Sequence, residues 1–206
     1  MKKTIILLFS IVSISLNAQS NFKSFFELSK PIRTWVVWHP FKAIKAKEIS
    51  KEATKLADSI GKTNLLDGDL TGGQVDAFRH AYWMARLHQK IGEKAARSLG
   101  KAHEKENYLT YKKSKLEDEV VPDQIASEMD LFNNEKGLKL TVRRSQTTKN
   151  SLIYRIVNAI TSGEMRIIRK DKEGDFLTCE GKIISLDFLK GKWKNNKCLV
   201  TSDQID

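Results

Sequence analysis

"QVDAFRHAYWMARLHQKIG", residues 74–92, decides how this chain is read. Val75, Phe78, Tyr82 and Ala85 recur at spacings of three and four, the period of a helix with one apolar face. Gly92 breaks the pattern. A second helical pattern opens at Glu93 and runs to about Asn107, with Ala95, Ala96, Leu99, Ala102 and His103 on or near one side. So short a connection makes the two helices antiparallel neighbours. The first of them carries Asp76, Arg79 and His80 at i, i+3 and i+4, which places all three on one face. An aspartate that holds a histidine fixes its tautomer and raises its basicity, as a general base requires.

The same connection sets relative heights. His80 lies 12 residues before Gly92 and His103 lies 11 after it. Counted this way, the two imidazoles stand at nearly the same level on facing helices, whose axes pack roughly 8–10 Å apart. His103 is followed by Glu104, and Asn107 shares its face. Farther along, "MDLFNNEKG" (129–137) repeats the geometry with Asp130, Asn133 and Asn134. Paired asparagines are poor helix formers, so they point to capping or to ligands for a cation or substrate.

Working outward, "FKAIKAKEISKEATKLADSIG" (41–61) reads as a helix, with Ile49, Ala53, Leu56, Ala57 and Ile60 on its apolar face and Gly61 at its end. Its lysines alternate with Glu48 and Glu52 and no aromatics accompany them, so the exposed side is a solvated face rather than a nucleic-acid stripe. "NLLDGDLTGG" (64–73) is a loop, and "YLTYKKSKLEDEVV" (108–121) is a second one. "PDQIASEMDLFNNEKG" (122–137) is a helix opened by Pro122 and closed by Gly137, and "SLIYRIVNAITSG" (151–163) is another, closed by Gly163. Beyond it, "EMRIIRK", "DFLTC", "KIISLDFL" and "KCLVT" are short, rich in branched residues and separated by turn signals. The expectation is a mainly α protein, a helical bundle over residues 41–163, with a small C-terminal antiparallel β appendage over 164–206; the class is α+β overall. Residues 19–40, with five aromatics between Pro31, Pro40 and the start, are expected to be an irregular entry segment.

The first residues have a different purpose. "MKK", the apolar "TIILLFSIVSISL" and then Ala18 have the order of a secretory signal peptide, with cleavage expected after Ala18. The apolar run is short for a membrane span and no second one follows, so the chain is expected to be exported, periplasmic or secreted, and not transmembrane. At 40% hydrophobic and 30% charged residues it has the means to build a core. The net charge of +11 falls to +9 once Lys2 and Lys3 are removed, which suits an anionic envelope component as partner, or serves solubility alone. No sequence-specific nucleic acid is expected. Cys179 and Cys198 have no histidine neighbours and no CxxC spacing, and an oxidising compartment favours their pairing.

"DAFRHAYWMARLHQKIG", "AARSLGKAHE" and "MDLFNNEKG" occur in that order, between about Trp38 and Gly137. In this the chain resembles an uncharacterised, mainly helical family of bacterial domains that also occurs at the ends of large secreted, toxin-like proteins. The resemblance implies a helical fold and marks Asp76, Arg79, His80, His103, Glu104, Asp130, Asn133 and Asn134 as characteristic positions. It implies no activity.

Two readings of the constellation stand. In the first the protein is a hydrolase. Either His80, His103 and Asp130 bind a divalent metal such as zinc, with Glu104 or Asp76 as base, or His80 and Asp76 activate water without metal while Arg79 steadies an anion. Asn133 and Asn134 would then contact substrate, which suits a phosphate-containing or cell-envelope compound. In the second reading the same groups form a buried, mutually satisfied network in a non-enzymatic binding or structural module. Of the remaining histidines, His88 is expected to be solvated and His39 to pack near a turn; Tyr82 and Trp83 are expected at core and rim.

Overall fold

The computed structural model describes residues 25–113 and 121–204. The segment expected to be a signal peptide, the expected cleavage site after Ala18 and the first residues of the entry segment lie outside that range. Helices dominate: α1 (Lys30–Trp38), α2 (Pro40–Ile60), α3 (Gln74–Ile91), α4 (Glu93–Lys112), α5 (Gln124–Lys139), α6 (Lys149–Thr161) and the short α7 (Leu186–Leu189). Strands β1 (Arg166–Ile168) and β2 (Leu199–Thr201) form a two-stranded antiparallel sheet near the C-terminus.

Helix α3 is the axis of the bundle. It packs against α2, α4, α5 and α6, and β1 touches it as well. An element enclosed on so many sides must be apolar nearly all round. Val75, Ala77, Phe78, Ala81, Tyr82, Ala85 and Leu87 are accordingly all buried to 0% exposure. The alanines let neighbouring helices come close. The closest approach is made by α5, where a Cβ on Gly137 would lie 2.3 Å from the carbonyl oxygen of Ala81. Gly137 therefore serves as a contact point inside α5, which continues to Lys139, and not as the helix end that the sequence suggested. Gly100 does the same for α4, leaving room for the side chains of Asn134 and Met84.

The entry segment is more ordered than expected. Residues 30–38 form α1, because Ser29 caps its first turn by accepting from the Ile32 amide and Pro31 occupies a position where its missing N–H costs nothing. Trp35 is buried and donates through Nε1 to the Ala95 carbonyl (3.1 Å) and to Ser98 Oγ (2.9 Å), which fastens α1 to α4. His39 stacks on the Trp35 ring at 4.6 Å where α1 turns into α2. Helix α4 also outruns the expectation, reaching Lys112 through "YLTYK". Tyr108 and Tyr111 there pack on Trp193.

The C-terminal region has less strand than its composition suggested. Ile167 pairs with Val200, so β1 takes the last strand as partner rather than its neighbour in sequence. "DFLTC" and the start of "KIISLDFL" contribute only isolated bridges, Lys170 with Phe176 and Leu177 with Ile183, and the latter segment continues into α7. The disulfide Cys179–Cys198 closes a 19-residue separation across this region. A loop of that size gives about 3 kcal/mol of stabilisation in the chain-entropy account. Among the described residues, no helix is long and apolar enough to cross a membrane.

Candidate functional site

Asp76 and His80 sit one turn apart on α3, and α5 brings Asp130 against them. His80 Nε2 lies 3.4 Å from Asp76 Oδ1 and 3.3 Å from Asp130 Oδ1. All three residues are buried, and one ligand atom from each falls within 4.8 Å of the other two. The other imidazole nitrogen, Nδ1, lies 3.3 Å from Asn134 Oδ1. An amide oxygen only accepts, so the tautomer that makes this bond has its proton on Nδ1 and a lone pair on Nε2, toward the two carboxylates. Burial, then the charge of Arg79 and, in its protonated form, of His103, pushes the His80 pKa well below its ordinary value, against the opposing effect of the Asn134 bond. Burial thus favours the neutral imidazole. A lone pair aimed at two carboxylate oxygens is an arrangement of three electron donors around one point.

Asp76 is held by more than its helix. Oδ1 pairs with Arg79 Nη2 at 2.8 Å, and Oδ2 accepts from the Gly72 amide at 2.7 Å. The second bond ties the carboxylate to the 64–73 loop, whose Asp67 accepts in turn from the amides of Gln74 and Val75 at the start of α3. This loop is therefore the N-terminal cap of the helix that carries the site.

A cavity of about 700 Å³ lies alongside, bounded by α1, α2, α3 and α4. Its walls are mainly apolar: Ile32, Trp35, Ala43, Ile44, Trp83 and Leu99 are among them. Arg79, His80, His103 and Glu106 line it as well. His80 thus joins the buried cluster to the cavity.

The paired histidines stand level as expected, but His103 is not in the group of possible metal ligands. Their ring centroids are 6.2 Å apart, as the count around Gly92 required. His103, however, points along the cavity wall, 3.6 Å from Glu106 Oε2 and edge-on to Trp83 at 5.7 Å. It is Asp76, not His103, that completes the group with His80 and Asp130. The His103 bond, opposed by burial and helped by Ser29, holds the Glu106 carboxyl below its usual range. Glu104 is buried on α4 and accepts from Asn107 Nδ2 at 3.2 Å, outside the three-residue group.

Of the two asparagines, only Asn134 reaches the site. Asn133 is fully buried and faces β1: its Nδ2 donates to the Arg166 carbonyl and its Oδ1 accepts from the Arg166 amide, both at 2.9 Å. The side chain thus behaves as a strand residue toward the edge of β1, and its expected substrate contact is overturned because both ends of the amide are used. His88 is also corrected. It is buried, and its Nδ1 bonds the Leu138 carbonyl at 2.9 Å, joining α3 to α5. Tyr82 is buried with its hydroxyl donating to Glu52 at 2.6 Å.

Residues 33–164 match the domain of unknown function DUF6973, so the chain belongs to that family. The matched segment takes in the helices from α1 to α6 and stops before β1. No curated protein and no solved structure matches the chain.

Proposed function

We propose that the protein is an exported, metal-assisted hydrolase, with Asp76, His80 and Asp130 as ligands for a divalent cation such as zinc. One observation carries this reading: an imidazole nitrogen and two carboxylate oxygens, all from buried residues, converge within 4.8 Å of one another beside a cavity of about 700 Å³. Two buried carboxylates this close repel, Arg79 brings one positive charge against them through its pair with Asp76 Oδ1 at 2.8 Å, and a bound cation would relieve the repulsion further. Two oxygens and one imidazole nitrogen are a donor set that suits a catalytic zinc with a position left open. Asn134, by fixing the His80 tautomer, would be the outer support that metal-binding histidines usually have.

The residues around the group have matching roles. A bound cation would supply acidity to water and to the substrate's oxygen. Arg79, which lines the cavity, would steady the negative charge that develops on a phosphoryl or acyl oxygen. His103, 6.2 Å away between ring centroids, is placed to take a proton from water and return it to the leaving group, so that water is added across one ester bond. The disulfide supports export, because such bonds persist in oxidising compartments.

The test is a metal titration of purified protein beside a screen of ester and phosphodiester substrates. One divalent ion per chain is expected, lost in Asp130→Asn along with roughly 10²- to 10⁴-fold of the activity. A protein that takes up no metal, and whose Asp130→Asn form is unchanged in every assay, would leave the cluster a structural network.

A further inference from the structure

The corner between α1 and α2 is the least water-compatible surface of the described residues. Phe41 is 99% exposed, Trp38 78% and Ile44 75%, with Val37 and Phe26 also exposed beside them. Isolated apolar side chains on a surface need no explanation, but a contiguous group does. Nothing in the helices requires these residues, because the buried faces of α1 and α2 are carried by Trp35 and by Ala46, Ile49, Ala53, Ala57 and Ile60.

Two further features give the group a direction. First, it rims the cavity: Ile44 lines it, and so do Val36, Pro40 and Phe25, neighbours in sequence of Val37, Phe41 and Phe26. Second, it is set in positive charge. Between Phe25 and Lys47 the chain has Lys30, Arg33, Lys42, Lys45 and Lys47 against the single acid Glu27. Lys45 also pairs with Glu48 beyond that stretch. A tryptophan, a phenylalanine and an isoleucine ringed by lysines are the composition of an interfacial segment, where rings and branched chains enter the acyl boundary and ammonium groups stay with anionic headgroups.

We infer that the α1–α2 corner docks on an anionic phospholipid bilayer and that the cavity behind it admits an acyl chain of a lipid from that surface. The cavity's apolar walls accept the chain, while Arg79 and His103, which also line it, would meet the polar part of the molecule. Docking and chain entry stand without catalysis; that the bound lipid is also the substrate rests on the hydrolytic reading above.

The experiment uses purified protein and vesicles of phosphatidylcholine with or without phosphatidylglycerol. Binding is expected to the anionic vesicles, weakening as salt is raised. Phe41→Ser with Ile44→Ser should lower it by roughly tenfold or more, from the apolar area withdrawn from the bilayer. Lys42→Glu with Lys47→Glu should also lower it, each lysine near the surface being worth about fivefold. Circular dichroism should show these exposed-site variants folded. Chain entry is read in Trp38→Phe, with Trp193→Phe added to remove the fourth tryptophan, so that Trp35 and Trp83 remain as reporters lining the cavity: lipids brominated on the acyl chain should quench them.

No binding to either vesicle, or binding that the Phe41 and Ile44 changes leave untouched, overturns the docking. Binding without quenching in that double variant overturns chain entry. The two readings fail separately. Vesicle binding with no hydrolysis of any lipid, ester or phosphodiester removes the enzyme and keeps the surface, whereas metal-dependent hydrolysis of a soluble ester without vesicle binding does the reverse.

Discussion

Two groups of buried charge among the described residues are built differently. Between α5 and the C-terminal region, Lys197 Nζ meets Asp123 Oδ2 at 2.7 Å with both side chains nearly inaccessible. Every part of that pair has a use. Asp123 Oδ1 caps α5 by accepting from the Ala126 amide, and the ammonium sits 3.7 Å from the centre of the Phe176 ring. Between α3 and α5, by contrast, two carboxylates converge on one histidine, with Arg79 Nη2 2.8 Å from Asp76 Oδ1. The first cluster matches one acid to one base. The second gathers two acids about one imidazole. A stable bundle needs only the first kind; the second is the kind that a cation would stabilise.

The largest effect should come from breaking the satisfied pair. Lys197→Ala strands a buried carboxylate, and urea unfolding should show a loss of about 3–5 kcal/mol. Gly137→Ala tests what holds the acidic cluster together. Its methyl would meet the Ala81 backbone rather than a movable side chain, so α3 and α5 must part, at a cost of about 3 kcal/mol by thermal or urea unfolding. Metal uptake should fall with it, because Asp130 moves with α5.

An intermediate effect belongs to Glu52, a third polar centre at the partly open face of α2. Burial alone would raise its carboxyl, but hydrogen bonds from Lys149, Tyr82 and Arg86 outweigh that and hold it at about 2. A carboxylate depressed in the folded state stabilises above its unfolded value near 4.5, and the contribution disappears as pH falls through about 2. Glu52→Gln should therefore cost about 2 kcal/mol at pH 7, and its stability should meet that of the parent protein near pH 2 in urea titrations. The smallest effect has the opposite sign. Asp130→Asn removes one of two facing carboxylates, and metal-free protein should gain about 1 kcal/mol while losing activity. A loss of stability there would instead assign Asp130 to the satisfied kind of cluster.

How much of this was legible in the chain depends on which coordinate is asked for. Counting from Gly92 placed His80 and His103 at one height, because rise per residue is regular. It did not say which way His103 turns about its helix, and that rotation put it on the cavity wall rather than in the cluster. Asp76 was legible as a partner of His80 from i, i+4 spacing alone. Asn133 was misread because its partner, Arg166, is 33 residues away and pairs through backbone that no pattern announces. Polar neighbours suggested a solvated His88, yet a histidine needs only one carbonyl, here Leu138, to be buried cheaply. Helix α1 had its signals in Ser29 and Pro31, overshadowed by the aromatic run that follows.

The stitch from Asn133 to Arg166 has an implication for where the domain can be cut. The family segment ends at residue 164, two positions before the backbone that Asn133 holds. A chain trimmed to that boundary would keep every candidate ligand and yet leave a fully buried amide with nothing to grip, three residues along the helix from Asp130. The tail is thus a tether for the ligand-bearing helix, and a shortened protein that folds but binds no cation would be its signature.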